Sequence, residues 1–284
     1  VYEIEKDILN DTILVEFSKQ SITGDKELAG AKLTVIDENN KVVDTWASTE
    51  KAHTIEGLIV GETYTLREEI APDGFVRATD VKFKVENTNE VQKVEMIDKI
   101  VTISKKDIGG EEIEGAELKV VDEDGNIVDS WTSTKESHNV KGLEENKTYT
   151  LYEDYAPDGF VVSNKIIFTV TTDKEIQKVE MIDKVVEVSK VNIAGEELEG
   201  ATLIVTNTKT KQIVDKWLSE KEPHKVNGLV EGQTYLLHEE IVVNGYVKAS
   251  DIEFTVTSEK EVQKVVMIDK IVAVSYTHLR AHET

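Results

Sequence analysis

The chain has 284 residues and a net charge of −23, from 56 acidic and 33 basic side chains, with 39% hydrophobic residues and no cysteine. That charge repels nucleic-acid phosphates and anionic lipid, and no basic cluster with interleaved aromatics offsets it, which argues against nucleic acid as a partner. The absent cysteine excludes disulfides, thiolate nucleophiles and cysteine-based zinc sites, and no apolar run of 18 residues offers a membrane span. Val1 stands where a complete reading frame carries Met, so the sequence reads as a fragment in which missing targeting signals are uninformative.

In chain order, residues 1–11 read as the last strand of a truncated upstream repeat, because NDTILVEFSK (10–19) aligns with DKIVTISK (98–105) after a two-residue insertion. Three copies of one unit follow, over 12–98, 99–183 and 184–271. Lys19, Lys105 and Lys190 lie 86 and 85 residues apart, and Glu68, Glu153 and Glu239 lie 85 and 86 apart; Asp98, Asp183 and Asp269 show the same spacing. A period near 85 is too long for a solenoid repeat and suits a self-sufficient small domain. Each copy alternates short runs of Val, Ile, Thr and Tyr with turn signals such as Asp73-Gly74, Asp124-Gly125 and Asn244-Gly245. Seven or so short strands in about 85 residues predict an all-β chain of three tandem antiparallel β-sandwiches. Only seven residue steps separate Asp98 from Lys105 and Asp183 from Lys190, without a Gly/Ser linker, so the array is expected to be semi-rigid, with neighbouring repeats as mutual partners. Residues 272–284 begin a further repeat with IVAVS (271–275) and then depart at Tyr276, where a lysine is expected. Tyr276–Thr284, including His278 and His282, reads as an adapter-derived tail and is set aside.

Residues of equal parity share a face of a strand. Lys19 follows Val15 and Phe17, Glu68 follows Tyr64 and Leu66, and Asp98 follows Val94 and Met96; the other copies repeat this with Lys105, Glu153, Asp183 and with Lys190, Glu239, Asp269. Three ionisable side chains per copy therefore track the apolar face. Burying isolated charges costs many kcal/mol, and such groups are rarely buried unless paired. A buried Lys–Glu–Asp ion cluster is one solution and leaves a net negative charge unless a carboxyl takes up a proton. Chemistry is the other: burial lowers the amine pKa and raises the carboxyl pKa values, so a neutral amine can face a protonated acid and condense with it. Fixed placement can remove about 7–11 kcal/mol of such a barrier.

SKQS, SKKD and SKVN after a strand, GAKL, GAEL and GATL downstream, TYTLREEIAPDGF and TYTLYEDYAPDGF, and the closing MID resemble the B-type repeats of collagen adhesin (CnaB-like) and SpaA-type pilin domains across residues 12–271. The resemblance implies three transthyretin-like sandwiches of a Gram-positive surface protein, extracellular and attached to the cell wall. It also implies spontaneous isopeptide bonds. Carried over by motif position, the lysines are Lys19, Lys105 and Lys190, the acceptors Asp98, Asp183 and Asp269, and the assisting acids Glu68, Glu153 and Glu239. Asn10 takes the acceptor position of the upstream copy. A host matrix protein would be met through a domain not present here, and the alternative is that the repeats themselves bind such a ligand.

Weaker signals have plainer readings. Trp46, Trp131 and Trp217 recur with His53, His138 and His224 seven residues on, which fits a packing tryptophan and a locally bonded histidine. Asp122–Asn126 (DEDGN) lacks calcium-loop ligand spacing and reads as a hairpin turn. No nucleophile–His–acid set, P-loop or dinucleotide fingerprint is present, so no enzyme acting on an external substrate, metal or cofactor is expected. A bridge from Lys19 to Asp98 would enclose residues that otherwise release on the order of 270 Å when a domain unfolds under tension.

Overall fold

A computed structural model describes residues 13–173 and 175–272. The upstream strand expected over 1–11, with Asn10, and the tail containing Tyr276, His278 and His282 lie outside these residues. The first domain has eight strands: β1 (Leu14–Ser21), β2 (Gly24–Glu27), β3 (Lys32–Asp37), β4 (Val42–Ala47), β5 (His53–Glu56), β6 (Thr63–Ile70), β7 (Val81–Lys84) and β8 (Gln92–Asp98). One sheet runs β4-β3-β6-β7, antiparallel throughout. In the other, β1 pairs antiparallel with β5 and β2, and parallel with β8 over Val15–Ser21. The same plan recurs in the second and third domains, giving the three tandem sandwiches expected, but with the first and last strands of each paired in parallel in place of the all-antiparallel sheets expected.

Period-two patterning builds these layers. In β1 and β6 every second residue is buried, as it is in β8. Val15, Phe17, Leu33, Val35, Leu66, Phe83, Val94 and Met96 fill the space between the sheets of the first domain. The glycines of the expected turns, Gly74, Gly125 and Gly245, have φ of +84°, +85° and +89°, a region in which a side chain is strained. Asp122 spends its Oδ1 on the N–H groups of Asp124 and Asn126, so DEDGN is a turn held by its own carboxylate. His53, His138 and His224 stack on Trp46, Trp131 and Trp217 at 4.1–4.2 Å and bond Asp44, Asp129 and Asp215, which makes each pair a packing device on the sheet edge.

The parallel pairing has a topological cause. The chain leaves β1, passes through the opposite sheet and returns as β8, and that long crossover lets two strands of one sheet run in the same direction. Lys–Asp partners far apart in sequence thereby become neighbours: Lys19 lies opposite Met96, and Asp98 opposite Ser21.

The domains also share core. Val76 follows β6 in the first domain, yet it packs with Val101, Ile103, Val140 and Leu143 of the second; Val161 of the second packs likewise into the third. Self-sufficient domains would not show this. Each of the later two is completed by its predecessor, through one valine whose backbone bridges the residue after Asp98 or Asp183, Val76 to Lys99 and Val161 to Lys184. Val76→Ala is therefore expected to destabilise the second domain, not the first, by roughly 1.5–3 kcal/mol, read as faster amide exchange in residues 101–106 and 148–155. Faster exchange confined to the first domain would contradict the shared core.

Candidate crosslinking site

In each domain the first strand delivers a lysine, the last strand an aspartate, and the middle strand of the opposite sheet a glutamate. All nine are buried, none more than 7% exposed. Lys19 Nζ contacts Asp98 Oδ1, Lys105 Nζ contacts Asp183 Oδ1, and Lys190 Nζ contacts Asp269 Oδ1. Each ammonium nitrogen also lies 2.9, 2.8 and 3.0 Å from Oε1 of Glu68, Glu153 and Glu239. The structure thus gathers every candidate within the described residues into three equivalent triads. Their apolar walls come from the same strands, with Met96, Met181 and Met267 two residues before each aspartate.

The glutamate is aimed by the backbone. Its second oxygen, Oε2, accepts the N–H of Ala78 at 2.8 Å in the first domain, of Ser163 at 2.7 Å in the second and of Ala249 at 2.9 Å in the third. That leaves Oε1 facing the lysine and the aspartate. Oε1 of each glutamate and Oδ2 of each aspartate are buried without a well-aligned hydrogen bond. The three aspartate Oδ2 atoms are costly if the triads stay ionic, because each unsatisfied buried polar atom costs about 1–3 kcal/mol.

Electrostatics follow from the dry setting. Burial pushes the Asp98 carboxyl up to about 8; Lys19 opposes the shift and Glu68 adds to it. In the second domain burial likewise pushes Glu153 up to about 8, against Lys105 and with Asp183, and burial raises Asp183 and Asp269 too. With one proton on a carboxyl pair, a triad with a charged lysine is neutral overall. Transfer of the ammonium proton to the remaining carboxylate keeps that neutrality and produces an amine beside a carboxylic acid.

Three further sets of residues shape the site. Glu27, Glu112 and Glu197 accept the backbone N–H of Lys19, Lys105 and Lys190 at 2.9, 3.0 and 3.1 Å, while the lysine carbonyls accept from Leu28, Ile113 and Leu198. Both sides of the lysine backbone are pinned. A signal existed, since each of these glutamates stands three residues before the Gly-Ala pair in its copy. The amides of Ala78, Ser163 and Ala249 gave none, because any residue supplies an N–H. Ser163 alone adds a hydroxyl, 2.8 Å from Asp183 Oδ1 and 2.9 Å from the Ile182 carbonyl. Among the described residues no group of three or more His, Asp or Glu side chains is arranged to hold a metal ion, and no helix is long and apolar enough to cross a membrane.

A string of prealbumin-like sandwiches, each enclosing a buried Lys–Asp–Glu triad between its first and last strands, defines the class of protein. A family model described as SpaA, prealbumin-like fold domain, matches residues 14–100, 99–185 and 184–271, and the chain belongs to that family. Among solved structures, the Bacillus anthracis TIE protein is 23% identical, over 91% of this chain and 51% of that one, with a TM-score of 0.28. The pilus adhesin SpaC of Lactobacillus rhamnosus GG in its open conformation is 11% identical over 94% and 44%, with a TM-score of 0.34. BcpA, the major pilin subunit of Bacillus cereus, is 14% identical over 92% and 99%, with a TM-score of 0.29. The chain spans about half the length of the first two. No curated protein sequence matches it.

Lys19→Met leaves Asp98 and Glu68 buried without their cation and tests the electrostatics directly. Asp98 is held above its ordinary range, so the fold binds its proton more tightly than the unfolded chain does. Stability is then full below about pH 4 and declines as the pH rises toward and through 8, by up to about 1.4 kcal/mol per pH unit for each such group. Thermal unfolding of the first domain in this variant is expected to show that decline; a midpoint independent of pH from 4 to 8 would contradict a buried acid.

Proposed function

We propose that the chain is a stalk segment of a Gram-positive cell-surface adhesin or pilin, extracellular and attached to the cell wall. Each domain is braced by a self-formed amide: Lys19 to Asp98, Lys105 to Asp183 and Lys190 to Asp269. The observation that supports this most is the threefold recurrence of an amine in contact with a carboxyl between two parallel neighbouring strands, buried and with orphaned oxygens beside it.

The contacts support one assignment of roles. The neutral lysine Nζ attacks Cγ of the protonated aspartate, forming the N–C bond. The glutamate, which holds the proton received from the ammonium, donates it to the aspartate oxygen as charge develops there, and its carboxylate then takes a proton from the nitrogen. With the departing hydroxyl protonated one water leaves, so amine plus acid gives amide plus water and the glutamate ends as protonated as it was before the attack. The reaction occurs once per domain, and an uncharged amide stands where the amine and the acid met.

The crosslink changes how a domain bears tension. Force enters at the start of β1 and leaves at the end of β8, and the amide joins Lys19 and Asp98, 79 positions apart, so that everything between them is bypassed. The same bond restricts the unfolded ensemble, as a disulfide closing a long loop does, by about 4–5 kcal/mol. Contact with a host ligand then falls to a domain outside this chain, for which the stalk is a spacer.

Intact mass tests the reading. Each amide removes about 18 Da, so the folded chain is expected to be about 54 Da lighter than its sequence, with lysine and aspartate peptides of one domain linked after trypsin digestion. The uncorrected mass in folded protein would overturn it. Glu153→Ala should leave the second domain folded and reduce the deficit to about 36 Da; an unchanged deficit would remove the glutamate from the reaction.

A further inference from the structure

The two junctions between domains are built alike. The residue after each acceptor aspartate, Lys99 or Lys184, is buried and pairs with a glutamate of the following domain, Glu145 at 3.1 Å and Glu231 at 2.6 Å. The same glutamates accept a backbone N–H from the preceding domain, of Thr79 at 3.0 Å and Asn164 at 3.5 Å. Burial pushes the Glu145 carboxyl up, but the Thr79 amide and the Lys99 ammonium outweigh it and hold the carboxyl below its ordinary value. Backbone bonds complete the joint: Arg77 N–H to the Leu143 carbonyl and Val162 N–H to the Leu229 carbonyl, 2.8 and 2.9 Å. Val76 and Val161 are the apolar plugs.

The end of the third domain carries every plug element in place and uncovered. Tyr246–Val247 pairs antiparallel with Lys270 and Ile271, the backbone arrangement of Val76 with Lys99 and of Val161 with Lys184. Val76 and Val161 are at most 1% exposed, whereas Val247 is 51% exposed; Ile100 and Val185 are at most 7% exposed, whereas Ile271 is 58% exposed. Lys248, Ser250 and Lys270 are exposed where their counterparts meet the next domain. At the other end the first domain lacks the matching acid. It has Ile59 and Val60, 63% and 46% exposed, at the positions of Glu144 and Glu145.

We propose that the face formed by Val247, Lys248, Ser250, Lys270 and Ile271 docks one further domain of this fold, of the kind that carries a glutamate at the position of Glu145 and Glu231. Charge complementarity and continuity with the two existing junctions select that occupant. A second copy of this chain presents Val60 there and leaves Lys270 without an anion. Junction chemistry therefore encodes which repeat follows which. This deepens the stalk reading but rests on the joints rather than on the amides, so intact mass and the test below fail independently.

The test extends the chain by placing a copy of residues 101–185 directly after Ile271, which reproduces the Ile100–Val101 spacing. Acylation of lysine amines, read peptide by peptide by mass spectrometry, reports each junction, with Lys99 and Lys184 as internal standards. In the extended chain Lys270 should react at least tenfold more slowly than in the 284-residue chain, and the amides of Val247 and Ser250 should gain exchange protection. Glu145→Val in the appended copy alone should restore Lys270 reactivity while Lys99 stays slow. Unchanged Lys270 reactivity, with the appended strands protected from exchange, would overturn the proposal. Glu145→Val in the unextended chain gives an independent arm: Lys99 should become at least tenfold more reactive, and a Lys99 still protected would mean that the glutamate is not what the plug recognises.

Discussion

The architecture turns on one constraint: a lysine amine and two carboxyls held together where water cannot solvate them. Every other feature of a domain serves that placement. Parallel pairing of β1 with β8 makes residues 79 positions apart into neighbours. The opposite sheet brings the glutamate across the core, and a single backbone amide turns it so that one oxygen faces the pair. Ionic pairing in such a place barely compensates desolvation, whereas condensation removes two of the charges altogether.

Much of this was legible in the primary sequence. The alternation Val-x-Phe-x-Lys, Tyr-x-Leu-x-Glu and Val-x-Met-x-Asp can be read only one way on a strand, and burial of Lys19, Glu68 and Asp98 in the structure follows that parity. Repetition supplied the domain count. The third copy has IVVNGY where the others have APDG and Phe, yet Gly245 keeps the same positive φ and Ala249 still meets Glu239, so the loop change leaves the triad geometry intact.

Other parts were hidden for physical reasons. Val76 looks like any apolar residue after a turn, and its destination in the neighbouring domain depends on how two folded units meet. The N–H groups that aim the glutamates belong to loop backbone, which carries no side-chain signature. Ser163 stands where the flanking copies have Ala78 and Ala249, and its value lies in proximity to Asp183, a tertiary fact. Lys99 and Lys184 read as the polar residue that ends a strand; the partners that bury them sit 46 or 47 positions downstream in another domain.

Site and junction form one line of force. Between successive Lys–Asp pairs the backbone is short, Asp98 to Lys105 and Asp183 to Lys190, and it lies within paired strands and the buried joint. Lys99 and Lys184 immediately follow Asp98 and Asp183, so under the proposed crosslink tension passes into the next domain through a residue that is itself anchored there. Drawing a single molecule apart by its ends examines this most directly. The wild-type chain is expected to stretch without any step on the order of 270 Å, and Lys19→Met is expected to add one; three such steps in the wild-type chain would contradict the covalent brace.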